Sequence, residues 1–103
     1  DRRMIVSAWN PCELNEMALP PCHFWWMVGV EGDKLNLVWG QRSVDSYLGL
    51  PNNIVSYALL LHLLAKETGL KEGTLTGQLV DVHLYVNHLD QVNELLTRKS
   101  YPS

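Results

Sequence analysis

The sequence predicts an α+β fold. Three features carry this reading: two β-forming runs flank Glu31-Gly32-Asp33, a long apolar stretch has helix-end signals at Pro51 and Gly69, and polar and apolar residues alternate over 79–87.

In chain order, Arg2 to Trp9 reads as a strand behind a basic pair, ended by Asn10-Pro11. Cys12 to Met17 suits a short helical turn before the Pro20-Pro21 stop. Cys22 to Val30 is rich in aromatic and β-branched residues. After the Glu31-Gly32-Asp33 turn, Lys34 to Trp39 sets Leu35, Leu37 and Trp39 on one face, so the pair is expected to form a hairpin. Pro51 to Thr68 is the clearest helix, with Pro51 in the first turn, Lys66 in the last and Gly69 just past the end. Ile54, Val55, Ala58, Leu59, Leu60, Leu61, Leu63, Leu64 and Ala65 cover most of its circumference, which predicts burial on several sides. Gly69 to Gly77 reads as a loop, Gln78 to Asn87 as a strand, and Asp90 to Arg98 as a final helix.

A 103-residue chain is one domain at most, and a domain of this size buries only about two thirds of its unfolded surface. Yet 47% of the residues are hydrophobic and four are tryptophan, so part of this apolar surface is expected to face further chain or a partner subunit. A strand that opens almost at residue 1, and a stop at Tyr101-Pro102-Ser103 with no closing element, predict a segment of a longer polypeptide. The net charge of −3 argues against nucleic acid or an anionic membrane as the main partner, and leaves room for a small anion held by a few arginines. Cys12 and Cys22 are too few for a disulfide framework, and no signal-peptide pattern is present, so the cytoplasm is the default compartment. Ile54 to Ala65 falls far short of the roughly 20 apolar residues that span a bilayer. No zinc-type spacing and no Gly-rich phosphate loop occurs, so no metal is expected.

Over residues 79–87, Val80, Val82, Leu84 and Val86 would point one way and Asp81, His83, Tyr85 and Asn87 the other. The ordinary reading is a strand with one wet face; the functional one is a site wall offering donors, acceptors and a titratable ring. Cys22 follows a rigid proline pair that fixes its approach, which suits a nucleophile, although most free cysteines are small buried hydrophobes. Cys12 has no such setting and is read as an ordinary cysteine. Arg2-Arg3 and Gln41-Arg42-Ser43 would bind an oxyanion bidentately if they converge, and are solvated surface residues if they do not. Of Asn52 and Asn53, only one has a capping role at the helix start. His62, inside the apolar helix, is read as a satisfied core histidine.

Five motifs in order carry a further implication: RRMIVSAWN over 2–10, MALPPCH over 17–23, QRSVD over 41–45, LGLPNNIVSYALL over 48–60 and DVHLYVNH over 81–88. Together they closely resemble the thymidylate synthase family, over nearly the whole chain and with spacings that need no gaps. The resemblance implies an α+β architecture in which a bent mixed sheet packs on a long buried helix, the other sheet face pairing two subunits about a two-fold axis. It also implies that residues 1–103 are a central catalytic segment of that domain.

By the same resemblance, Cys22 is the nucleophile that adds to C6 of dUMP, its thiolate favoured by Arg42, and C5 then attacks the methylene of 5,10-methylene-tetrahydrofolate, a co-substrate. Arg42 and Ser43 would bind the phosphate together with Arg2 and Arg3 of the other subunit of a homodimer. His83 and Tyr85 would contact the sugar hydroxyl, Asp45 the folate, and Gly49 would keep the backbone close to the base. His23 and Gln41 complete the implied substrate-binding set, and Cys22, Asn53 and Tyr85 the catalytic one. Asn53 chooses uracil, because its amide can donate to O4 and accept from the N3 proton. Val80 stands where the family usually has glycine, Leu79 where some members have another, and Asn52 where Phe is usual; Phe24-Trp25-Trp26-Met27 and Gly40 are also uncommon. These departures fall around the expected folate pocket, so the product is expected to be dTMP or, if water enters, 5-hydroxymethyl-dUMP. A segment of this kind taken alone is expected to be inert, acting as a folded or dimerising unit.

Overall fold

The computed structural model describes residues 1–102. Its strands are β1 (Ile5–Ser7), β2 (His23–Glu31), β3 (Lys34–Gln41), β4 (Val44–Asp45), β5 (Lys71–Leu79) and β6 (Val82–His83). Its helices are α1 (Gly49–Thr68) and α2 (Leu89–Thr97), with 3₁₀ turns at Pro11–Glu16 and Val86–His88. The main sheet runs β1-β2-β3-β5, and β4 and β6 form a small second sheet. This is the α+β class expected.

The hairpin forms as anticipated, β2 against β3, turning at Gly32, whose φ of 61° suits a residue without Cβ. At its open end the pairing passes from His23↔Gln41 to Trp25↔Gly40, leaving Phe24 as an extra residue on β2. Such a bulge re-aims the side chains beside it, and here it lies next to Cys22. β3 runs parallel to β5, a pairing that needs a crossover, and α1 supplies it. Leu35, Leu37 and Trp39 project from β3 onto Tyr57, Leu61 and Ala65, which recur every fourth residue along one stripe of α1. Together they form the buried core.

The end of α1 is built as the sequence indicates: Gly69 has φ 70°, and the N–H groups of Gly69 and Leu70 return to the carbonyls of Lys66 and Ala65. Its start lies two residues before Pro51. Neither Asn52 nor Asn53 caps it: Asn52 donates to the Leu48 carbonyl, and the turn that leads into the helix is held by Asp45, whose Oδ1 accepts from the N–H groups of Tyr47 and Leu48.

Four expectations are corrected. Residues 71–79 are a strand, not a loop, because Gly73 and Gly77 are packing residues: Leu75 and Leu79 alternate with them toward the core, and a Cβ at Gly77 would lie 2.6 Å from the Trp39 indole. The long strand expected over 78–87 breaks at Asp81, whose φ of 49° turns the chain: Gln78 and Leu79 end β5, beyond the break only Val82–His83 pair, and Val80, Val82, Leu84 and Val86 are all exposed. Against the sheet α1 buries its stripe of Tyr57, Leu61 and Ala65, while Val55, Leu59 and Leu63 are exposed in this chain. His62 is no core residue but an exposed partner of Glu72, and Cys12 is exposed. With one layer of sheet and one of helix the chain measures 45 × 45 × 18 Å. Among the described residues no helix is long and apolar enough to cross a membrane.

Candidate functional site

Arg42 leaves β3 just where the Pro20-Pro21-Cys22 segment enters β2. Its backbone N–H donates to the Cys22 carbonyl at 2.9 Å, so the two strand ends are tied. Its side chain then folds over the proline pair: Nη2 donates to the Pro20 carbonyl at 2.7 Å, Nε donates to the Pro21 carbonyl at 3.0 Å, and Nη2 lies 3.9 Å from the Cys22 sulfur. A planar fork of fixed donors is suited to holding two adjacent carbonyls at once. A half-buried sulfur therefore faces a guanidinium. Next to it, Nδ1 of His23 meets the Tyr57 hydroxyl at 3.0 Å, and burial raises the Tyr57 phenol above its ordinary value of 10.0.

A second network begins on β3. The Trp39 indole N–H donates to Oε1 of Gln41 at 3.2 Å, and Nε2 of Gln41 donates to the Ser43 carbonyl and to Oδ1 of Asn53, both at 3.1 Å. Gln41 is only 3% exposed, so its polar atoms depend on these partners. Asn53, in the second turn of α1, is thereby tied to the strand that carries Arg42. A Cβ at Gly49 would come 3.5 Å from Oδ1 of Asn53, an ordinary contact. Gly49 is thus beside the amide, but its own neighbours leave room for a side chain.

The small sheet supplies a third group. Asp45 pairs with His83 across β4 and β6, and both the N–H and the hydroxyl of Ser46 donate to the His83 carbonyl. Nδ1 of His83 lies 2.9 Å from the Asp81 carbonyl, which can only accept. Neutral His83 therefore carries its proton on Nδ1 and leaves Nε2 as an acceptor. The Tyr85 ring meets it edge-on at 5.0 Å. The hydrogen bond from the Leu48 N–H lowers the Asp45 carboxyl below its ordinary 3.8; desolvation opposes this, and the Tyr47 N–H and the charges of His88 and His83 add to the lowering.

The structure brings Cys22 and Arg42 together, sets His23 against Tyr57, joins Gln41, Ser43 and Asn53 in a second group on the same strand end, and sets Asp45, His83 and Tyr85 around β4 and β6. The Val80 N–H, bonded to the Gln41 carbonyl at 3.0 Å, links the second group to the third. Arg2 and Arg3 join none of these groups: they lie exposed ahead of β1, and Arg3 pairs with Asp1. Tyr57, Trp39 and His88 were not singled out from the sequence. Tyr57 and Trp39 look like core aromatics until their polar atoms are traced, and His88 packs between Tyr47 and Tyr85 with its Nδ1 buried and unbonded.

A model of the family described as thymidylate synthase matches residues 1–103. The chain belongs to the thymidylate synthase family. It is 54% identical over 101 residues to the thymidylate synthase of Symbiobacterium thermophilum, covering 98% of this chain and 36% of that protein. To the thymidylate synthase of Enterobacteria phage T4 it is 52% identical over 99 residues, covering 96% and 35%. The crystal structure of the T4 phage thymidylate synthase superposes with a TM-score of 0.84 at 50% identity, over 99% of this chain and 36% of that one. The chain thus spans about a third of the length of these thymidylate synthases, and the bent-sheet α+β fold is theirs.

Proposed function

We propose that the protein of which this chain is the central part transfers a one-carbon unit from 5,10-methylene-tetrahydrofolate to C5 of dUMP, giving dTMP. The observation that carries this reading is the Arg42 guanidinium held 3.9 Å from the Cys22 sulfur on the strand end whose Gln41 also bonds Asn53. The Cys22 thiolate adds to C6 of the pyrimidine, and C5 gains the electron density to attack the folate methylene. The C5 proton then leaves as the bond from the methylene carbon to the folate nitrogen breaks, a hydride from the tetrahydrofolate so freed reduces the exocyclic methylene to methyl and leaves dihydrofolate, and the thiolate departs as the C5–C6 double bond reforms.

Asn53 reads O4 and N3 of uracil, Arg42 and Ser43 take the phosphate, and Nε2 of His83 with the Tyr85 hydroxyl meets the sugar. His23 lines the base pocket, Asp45 and Gly49 lie toward the folate, and Tyr85 and Asn53 hold the ring through the covalent stage. Arg2 and Arg3, which join no local cluster, reach the phosphate of a two-fold mate; the exposed Ile5 on the edge strand beside them, opposite the face that meets α1, fits a sheet face covered in a homodimer. The cytoplasm is the compartment that suits a free thiol nucleophile. Taken alone, the chain is inert: it covers about a third of its relatives' length, and dUMP should bind it weakly or not detectably by calorimetry. Tight binding would overturn that.

A second product is favoured by two residues. Val80, 64% exposed at the end of β5, and the polar Asn52 on the outer face of α1 change what lines the folate side, and water attack on the methylene would give 5-hydroxymethyl-dUMP and tetrahydrofolate. Chromatography of the nucleotide formed by the complete protein from dUMP and methylene-tetrahydrofolate decides: dTMP supports the first reading, the hydroxymethyl product the second, and unchanged dUMP refutes both.

A further inference from the structure

The Asn53 carboxamide can read either pyrimidine. Held one way, it donates from Nδ2 to O4 of uracil and accepts at Oδ1 from N3–H; turned over, it accepts from the amino group of cytosine and donates to N3. Base choice therefore rests on what stops the amide from turning. We propose that the indole N–H of Trp39 is part of that stop, and that Trp39 acts as a positioning residue that sets uracil selectivity through Gln41; this rests on the uridylate reading above.

Donor and acceptor counts fix both amides. An indole N–H only donates, so it faces an oxygen, and the structure places Oε1 of Gln41 there at 3.2 Å. A backbone carbonyl only accepts, so the Ser43 oxygen faces Nε2 of the same amide at 3.1 Å. Gln41 is 3% exposed, and no bulk water stands ready to accommodate the opposite orientation. Its second Nε2 proton goes to Oδ1 of Asn53. Asn53 is left with Nδ2 and one Oδ1 lone pair for a ligand, which is the pattern uracil needs. Turning Asn53 alone would set Nδ2 against Nε2 of Gln41, donor to donor. Turning both amides would set Nε2 against the indole N–H and Oε1 against the Ser43 carbonyl.

The indole itself is fixed on both sides. It stacks on Tyr57 with ring centroids 5.1 Å apart and an interplanar angle of 12°, and it covers Gly77, where any Cβ would meet it. Trp39 is itself 3% exposed and is offered no second acceptor by these contacts. The polarity of one buried N–H is thus relayed through two amides to the ligand-facing edge of Asn53.

The test is Trp39→Phe in the complete protein, which removes the donor and keeps an aromatic ring to stack on Tyr57. Turnover of dUMP is measured with dCMP as a competitor, and the ratio of the dCMP inhibition constant to the dUMP KM is compared with the parent; the folded fraction cancels in this ratio. Losing one of the two partners that hold Gln41 should lower the ratio by roughly three- to tenfold, the scale of one neutral hydrogen bond. If Trp39→Phe does not fold, benzothienylalanine at position 39 replaces the N–H by sulfur in an isosteric ring and gives the same ratio to read. An unchanged ratio in a parent enzyme that prefers dUMP would overturn the role of Trp39 alone. A parent enzyme that does not turn over dUMP would overturn the uridylate reading and this inference with it.

Discussion

Tyr57→Phe isolates one bond beside the proposed nucleophile. The phenol oxygen lies 3.0 Å from Nδ1 of His23, while the ring is 7% exposed and stacked on Trp39, so the substitution removes the hydroxyl and leaves the packing. A neutral hydrogen bond of this kind contributes about 1 kcal/mol, and His23, being exposed, regains water when it is lost. That corresponds to a Tm lower by roughly 4–8 °C in a domain of about this size. The alkaline side gives an independent signature. Burial raises the phenol above 10.0 in the folded state, so the folded state holds the proton longer than the unfolded one. Its stabilising contribution is full below pH 10 and is lost as pH rises through the folded value. The Tyr57→Phe variant, having no phenol to ionise, has no such loss, and the gap between parent and variant should narrow above about pH 10. Urea unfolding at neutral pH and at about pH 11 measures both effects. Equal stability at neutral pH, or a gap that stays constant on the alkaline side, would refute the reasoning.

Asn53→Asp should shift the kcat/KM preference of the complete protein from dUMP toward dCMP, since a protonated carboxyl can donate to N3 and accept from the cytosine amino group; unchanged selectivity would remove Asn53 from base reading. Gly40→Ala would drive a methyl into the Trp25 indole across the hairpin, and overpacking of this kind costs roughly 1–3 kcal/mol in urea unfolding, whereas Gly29→Ala, with open space around it, should stay within about 0.5 kcal/mol. Because the folded Asp45 carboxyl lies below 3.8, its contribution is present above that value and is lost as pH falls through the folded value. Asp45→Ala should therefore weaken the turn ahead of α1 at neutral pH and flatten the acid limb of a Tm-versus-pH curve; a limb as steep as the parent's would assign the acid loss to other groups.

The hairpin, α1 and α2 were legible because each rests on local signals: alternation around a Gly turn, a Gly C-cap, and apolar residues at helical spacing. β5 was not, since its inward positions alternate Leu with Gly, and glycine reads as a turn residue when its real function is to clear space for Trp39 and Asn36. The run over 79–87 misled for the opposite reason: its alternation is regular, but the chain bends at Asp81, and that left-handed residue leaves no mark on the pattern. The thiol, the guanidinium and the asparagine were found through their motif neighbours. The link among them was hidden, because it passes through Trp39, Tyr57 and Gln41, whose polar atoms sit on side chains that the burial pattern assigns to the core.

Substitution at C5 of the pyrimidine must displace the hydrogen there, whichever one-carbon product follows. Release of tritium into water from dUMP labelled at C5, with methylene-tetrahydrofolate present, is therefore the most direct test of a reaction that begins with sulfur addition at C6. The complete protein should release the label and its Cys22→Ala variant should not, with the fold of both checked by circular dichroism. Release at the parental rate without Cys22 would contradict the account.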